Sequence, residues 1–132
     1  MAVFETVEQV EQVQGRFLRE LMAEPEVWGK VGPSNMCFVM HYSEPTCDVF
    51  IDCRGDAATV SVTEERQEAD IELSLTADTG HDMWLGKVNL VTAMASRKIR
   101  TKGNVARFAG MVPLMTIGMP RYRVFCESLE SQ

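Results

Sequence analysis

MCFVMHYSEPTCDVFIDCRGDAATVSVTEERQEADIELSLTA, residues 36–77, decides the fold. Side chains along a strand point to alternate faces, so an apolar period of two marks a strand. MCFVMHY (36–42) is apolar on both faces and reads as a central strand. CDVFIDC (47–53) sets Val49, Ile51 and Cys53 on one face. ATVSVT (58–63) turns Val60 and Val62 inward and Thr59, Ser61 and Thr63 outward. ADIELSLTA (69–77) opposes Ile71, Leu73 and Leu75 to Asp70, Glu72, Ser74 and Thr76. SEPT and Arg54-Gly55-Asp56 turn the chain, and the charged run EERQE reads as a third, solvated turn. Four consecutive strands joined by short turns predict an antiparallel meander.

The flanks switch to helical spacing. Val3, Val7, Val10, Phe17 and Leu21 mark a helix over 2–24, and Glu24-Pro25 should end it. Two Pro and two Gly make 25–35 a loop. Asp78 is a candidate N-cap for a short helix over 79–86 that carries Met83, Trp84 and Leu85. Asn89 can cap a second short helix with Leu90, Val91 and Met94 on its inner side. KIRTK (98–102) reads as a fifth, edge strand whose cations guard the edge. Asn104 should cap a last helix, VARFAGMVPLM, with Val105, Phe108, Met111, Val112 and Met115 on one side. Pro113 should kink or end it, leaving PRYRVF (120–125) extended. The expectation is one α+β domain over 1–132, a five-stranded, mostly antiparallel sheet with helices on one face.

The chain is 45% hydrophobic and 24% charged, the balance of a soluble globule large enough to bury a core. No apolar run is long enough for a membrane-spanning helix, and MAVFETVEQVEQVQ lacks the basic and apolar parts of a secretory leader. A cytoplasmic location is the expectation. Cys37, Cys47, Cys53 and Cys126 form no C-x-x-C pair and have apolar neighbours, which predicts reduced, mostly buried thiols.

A net charge of −6 argues against nucleic acid as a partner. Residues 1–80 hold 16 acidic and 5 basic side chains, and residues 81–132 hold 3 and 8, so the halves carry −11 and +5. The basic half can steer an anionic partner or lipid surface. Catalytic options are few. His41 and His81 are the only histidines. A Cys47–His41–Asp48 arrangement fails because neighbours on a strand face opposite ways. His41 reads as a strand residue with a satisfied hydrogen bond, His81 as a solvated residue at a helix start, and Asp48 and Asp52 as solvent-side carboxylates. No metal, nucleotide or hydrolase motif is present, so no cofactor is expected.

With these elements placed, residues 69–115 resemble the sterol carrier protein type-two family of lipid-binding domains. The resemblance rests on the strand ADIELSLT, the segment DTGHDMW, LGK at 85–87, KIRTKGN at 98–104, and the final apolar helix. Residues before this stretch agree in element order. Val88-Asn89-Leu90 stand where the family often has a proline, Met94-Ala95 where it often has an aromatic, and Ser96-Arg97 replace its glycine-bearing approach to Lys98. The resemblance implies a tunnel between the sheet and the late helices for a fatty acid, acyl-CoA, or sterol- or isoprenoid-like lipid, carried without chemistry.

Met83, Trp84, Leu90, Val91, Met94, Phe108, Met111, Val112 and Met115 are then the candidate ligand-binding residues. Two readings stay open for them: ordinary core, or the adaptable wall that unbranched thioethers make. Lys98, Arg100 and Lys102 share a strand face, as a solvated edge or as contacts for an anionic head group or membrane. Two other functions compete with the carrier: an accessory module presenting a lipid intermediate to pathway enzymes, and a small enzyme using the cavity as its active site.

Overall fold

The structure, a computed structural model, describes residues 3–103 and 105–130. The N-terminal helical segment begins with α1 (Val7–Val10), continues through a π-helical stretch, Glu11–Gly15, and ends as α2 (Arg16–Met22). Thr6 caps it, accepting from the backbone N–H of Gln9 at 3.2 Å while the Gln9 side chain accepts from the Thr6 backbone. The residues expected as a loop form α3 (Pro25–Val31) instead. Pro25 occupies the first turn, where its missing N–H costs no bond, and Val27 and Val31 are buried.

The strands are β1 (Cys37–Ser43), β2 (Cys47–Asp52), β3 (Thr59–Thr63), β4 (Ile71–Thr76) and β5 (Arg100–Gly103), in the order β3-β2-β1-β4-β5. β1 is central, as its apolar run predicts. The meander expectation holds for β1–β3 and fails at β4, which pairs with β1 in parallel. Alternation reports which face is buried but not which strand is the partner. The other three pairings are antiparallel, so the sheet is mixed but mostly antiparallel.

Residues 64–70 carry the chain across the outer face from β3 to β4, so they are a strap and not a free turn. The Gln67 N–H donates to Asp48 Oδ2 at 2.7 Å, and the Cys37 N–H donates to Asp70 Oδ2 at 2.8 Å. Beneath the strap lie His41, Asp48 and Glu72, all buried. His41 Nδ1 is 2.8 Å from Asp48 Oδ1, and Nε2 is 2.5 Å from Glu72 Oε1. Each ring nitrogen faces a carboxyl oxygen at hydrogen-bond distance. The expected hydrogen bond of His41 is therefore there twice over. Asp48 is not solvent-side. Asp52 is partly exposed and pairs with Arg54 at 3.0 Å, which holds its carboxyl down at about 2.

The inner face, with Phe38, Met40, Tyr42, Val49, Ile51, Leu73 and Leu75, is buried under the helices. α4 (Ala77–Trp84) lies directly on it: a Cβ on Gly80 would come within 2.6 Å of the Tyr42 ring. α5 (Leu90–Ala95), α6 (Val105–Phe108) and α7 (Val112–Glu130) complete the layer. The expected Asn104 cap lies outside the described residues. Pro113 does not end a helix. It stands in the first turn of α7, where no bond is lost. Nor is 120–125 extended. α7 runs through Pro120 because Leu114, Met115, Gly118 and Tyr122 stay buried on one side. Tyr122 packs edge-on against Phe17 at 5.0 Å. Among the described residues no helix is long and apolar enough to cross a membrane.

Burial works against the charge of Glu72, but the hydrogen bonds from His41 and the Ala69 N–H, with the charges of His41 and Lys102, outweigh it. Its carboxyl is held below the ordinary glutamate range. Such a group adds stability above its unfolded value, about 4.3, and loses it as pH falls through the lower folded value. Acid titration followed by circular dichroism should show this limb in the wild type and a shallower one in Glu72→Gln. His41→Leu leaves two buried carboxylates without their partner. Urea unfolding should show a loss of about 3–5 kcal/mol.

Candidate functional site

The late helical layer is built from short, locally capped pieces. Thr76, not Asp78, caps α4, accepting from the Thr79 N–H at 3.1 Å. Asp78 instead holds the N-terminal end, accepting from the Val3 N–H at 2.9 Å. α4 buries Met83 and Trp84. Asn89 caps α5 as expected, accepting from the Thr92 N–H at 3.1 Å. α5 has six residues and buries only Ala93. Leu90 is half-buried against the core, while Val91 and Met94 stand at the surface.

The nine candidate residues therefore separate. Met83, Trp84, Met111 and Met115 enter the core, and half-buried Leu90 and Phe108 pack against it. Val91, Met94 and Val112 stand at the surface, 78%, 43% and 50% exposed. Residues not singled out from sequence join the same interior. Met36 and Met40 reach it from the sheet side, and Met119 packs against it from α7. The misread Pro113 and Pro120 hid the α7 contribution. A methionine at the mouth of a strand, Met36, was the available signal for the sheet side.

Two buried side-chain polar atoms lack a partner among the described residues, Ser34 Oγ and the indole Nε1 of Trp84. An unpaired buried donor costs about 1–3 kcal/mol, which a water or a guest acceptor at Nε1 would relieve.

The basic residues are arranged less regularly than their spacing predicts. Arg100 and Lys102 share the outer face of β5, opposite Ser74 and Glu72. Lys98 lies in the turn before the strand. β5 is an exposed edge strand, as expected. Arg107 pairs with Asp70 at 3.0 Å.

Nucleophilic chemistry has little to work with here. Cys47 pairs with Tyr42 on the inner face, and His41 lies on the outer. Burial pushes the thiols of Cys37 and Cys47 up to about 11 and that of Cys53 to about 12. At neutral pH they are thiols, not the reactive thiolates. Among the described residues no cluster of three or more His, Cys, Asp or Glu could hold a metal ion. His81 is not solvated: it is half-buried in α4, with Nδ1 2.6 Å from the Tyr122 hydroxyl. All four cysteines are free, and only Cys126 is not fully buried. Iodoacetamide labelling followed by peptide mass spectrometry should modify Cys126 first. The other three should react only when the protein is unfolded.

The model of the SCP-2 sterol transfer family matches residues 16–115, from the start of α2 to the first turn of α7. No curated protein sequence matches the chain. Several solved structures share its fold. The sterol carrier protein domain 2 of Helicoverpa armigera superposes with a TM-score of 0.68 at 14% identity, over 91% of this chain and 94% of that one. Sterol carrier protein 2 of Yarrowia lipolytica, in its apo form, gives 0.58 at 21% identity, over 76% and 84%. A structure described as UbiJ-SCP2, a ubiquinone synthesis protein, gives 0.58 at 12% identity, over 85% and 94%. The element order, the mixed sheet and a match over most of the sequence agree: this chain belongs to the SCP-2 sterol transfer family.

Proposed function

We propose that the domain holds the apolar chain of a lipid, such as a fatty acid, acyl-CoA, or sterol- or isoprenoid-like molecule, between the inner sheet face and the late helices, and carries it without chemistry. The observation that supports this most is the methionine content of that interior. Met36, Met40, Met83, Met111 and Met115 are all buried there, from both sides of the space. A thioether side chain has three rotatable bonds and no branch, so it can repack around a guest at low cost. A core built only to be rigid favours Leu, Ile and Val instead.

Two further features fit. The cover over this interior is made of short pieces: α5, α6 and the turn Ala109–Met111. Helices this short are marginal alone and are held by packing, so they can move aside. Val91, Met94 and Val112 then offer apolar surface near those pieces. The unpaired Trp84 N–H provides one donor for a hydroxyl, carbonyl or carboxylate on the guest. Arg100 and Lys102 give the domain cationic surface for an anionic head group or membrane. A second reading, an accessory module that presents a lipid intermediate to pathway enzymes, takes its support from the ubiquinone-synthesis neighbour, through the shared fold alone.

Met111→Trp should fill the space that a guest would occupy. The expected result is loss of uptake of a fluorescent fatty acid with the melting temperature kept or raised. Wild type should be stabilised by that ligand, by about 2.7 kcal/mol at a hundredfold excess over Kd. An interior that is simply full gives the opposite pattern. Wild type then takes up no probe, and the variant loses about 1–3 kcal/mol through overpacking.

A further inference from the structure

A second polar cluster lies between the inner sheet face and the N-terminal and last helices, on the opposite side of the sheet from the outer-face histidine and running from Tyr42, beside Met40, out to His81. It begins at the π-helical stretch Glu11–Gly15, where one extra residue enters a helical turn. Such turns redirect side chains and occur often at functional sites. Here the stretch contains Gln14, whose polar side chain is fully buried. The Tyr42 hydroxyl donates to Gln14 Oε1. Gln14 Nε2 donates to the Tyr122 hydroxyl at 3.4 Å. The Tyr122 hydroxyl lies 2.6 Å from His81 Nδ1.

The chemistry of each group fixes the direction of this chain. An amide oxygen only accepts and an amide nitrogen only donates. The Tyr42 proton therefore points to Gln14, and the Tyr122 oxygen receives the Gln14 N–H. The one proton of Tyr122 is left for His81 Nδ1, a better acceptor than the sulfur of nearby Cys126. Burial pushes both tyrosines well above their ordinary range, so the phenols keep their protons. Burial also pushes His81 down, toward the neutral ring. A neutral imidazole that accepts at Nδ1 carries its proton on Nε2. The buried chain thus sets His81 as a donor at Nε2, and among the described residues that nitrogen has no acceptor.

His81 lines a cleft of about 310 Å³ together with Phe4, Val13, Cys126, Leu129 and Glu130. This is the small end of the ordinary ligand-pocket range, with apolar walls and few polar groups. The Phe4 ring meets His81 edge-on at 5.5 Å and fixes one wall. Glu130 lines the cleft, and Asp78 and Asp82 act on His81 electrostatically, against the single cation Lys87. That balance disfavours an anion.

We propose that this cleft is a second ligand site, which takes a small neutral carbonyl compound with its oxygen on His81 Nε2–H and its ring or short chain against Phe4, Val13 and Leu129. None of these residues is among those assigned to the lipid interior, so the two sites can be tested separately. The experiment is a titration of nitrogen-15-labelled protein, followed by NMR, with three probes of one shape. Acetophenone carries the carbonyl, α-methylstyrene replaces it with C=CH2, and benzoate replaces it with an anion. Acetophenone should shift the His81 ring nitrogen and the Phe4, Val13 and Leu129 amides. It should bind about three- to tenfold more tightly than either other probe, the range of one hydrogen bond. His81→Phe should erase that preference. Leu129→Trp, a change at a half-buried position, should fill the cleft and abolish all binding while the rest of the spectrum stays folded. Equal binding of the ketone and the alkene overturns the proposal. So do shifts that map elsewhere, or no shift up to the solubility of acetophenone.

Discussion

β1 and β4 run side by side in the same direction, and a parallel pair can be made only by carrying the chain from one end of the sheet back to the other. Here the return is made by β2, β3 and residues 64–70, which lie over the outer face. That crossing would leave backbone N–H groups and carboxylates away from water. The His41–Asp48–Glu72 cluster resolves this: Asp48 and Glu72 accept from the strap's backbone, and the imidazole bridges the two carboxyls by hydrogen bonds. With the strap tied down, β4 is fixed next to β1, and everything after β4 is positioned by it. α4 lands on Tyr42, β5 pairs with the free edge of β4, and α7 closes over the aromatic cluster.

The two sides of the sheet consequently differ in stiffness. The outer side is held by directional, charge-assisted hydrogen bonds. The inner side is held by non-directional apolar packing that includes several methionines, under a cover that joins the long α7 to the short α5 and α6. On the proposed reading, a guest would be accommodated by moving side chains and short helices on the inner side without disturbing the sheet that orients them. The cysteines and the outer-face histidine follow the same division. The three fully buried thiols are protonated, and the outer-face histidine is occupied on both nitrogens.

The period-two runs were legible because a half-buried strand must alternate; the first four strands fall where alternation puts them, and the fifth begins two residues later than KIRTK suggests. Partner choice was not legible. Nothing local in IELSLT distinguishes pairing with β3 from pairing with β1, and the strap that decides it reads as a solvated charge run. Proline misled at Pro25, Pro113 and Pro120. The first two sit in opening turns, where proline is at home, and the third is tolerated because the buried side of α7 continues past it. Of the candidate site, Met83, Trp84, Met111 and Met115 were legible as interior. Val91 and Met94 were not legible as surface, because helical spacing cannot reveal that α5 is too short to be covered, and Val112 was not because α7 begins there and buries Leu114 and Met115 instead. Gln14 and Tyr122 were invisible from sequence, since their meeting depends on the π-helical stretch and on the continuation of α7.

The central claim is that the space between the inner sheet face and the late helices takes a lipid. Native mass spectrometry of gently purified protein tests it most directly, as isolated and again after incubation with a long-chain fatty acid. The account predicts a one-to-one adduct with the mass of a lipid, present from the start or formed on incubation, and released on denaturation. The mass of the bare chain alone, in both samples, would contradict it.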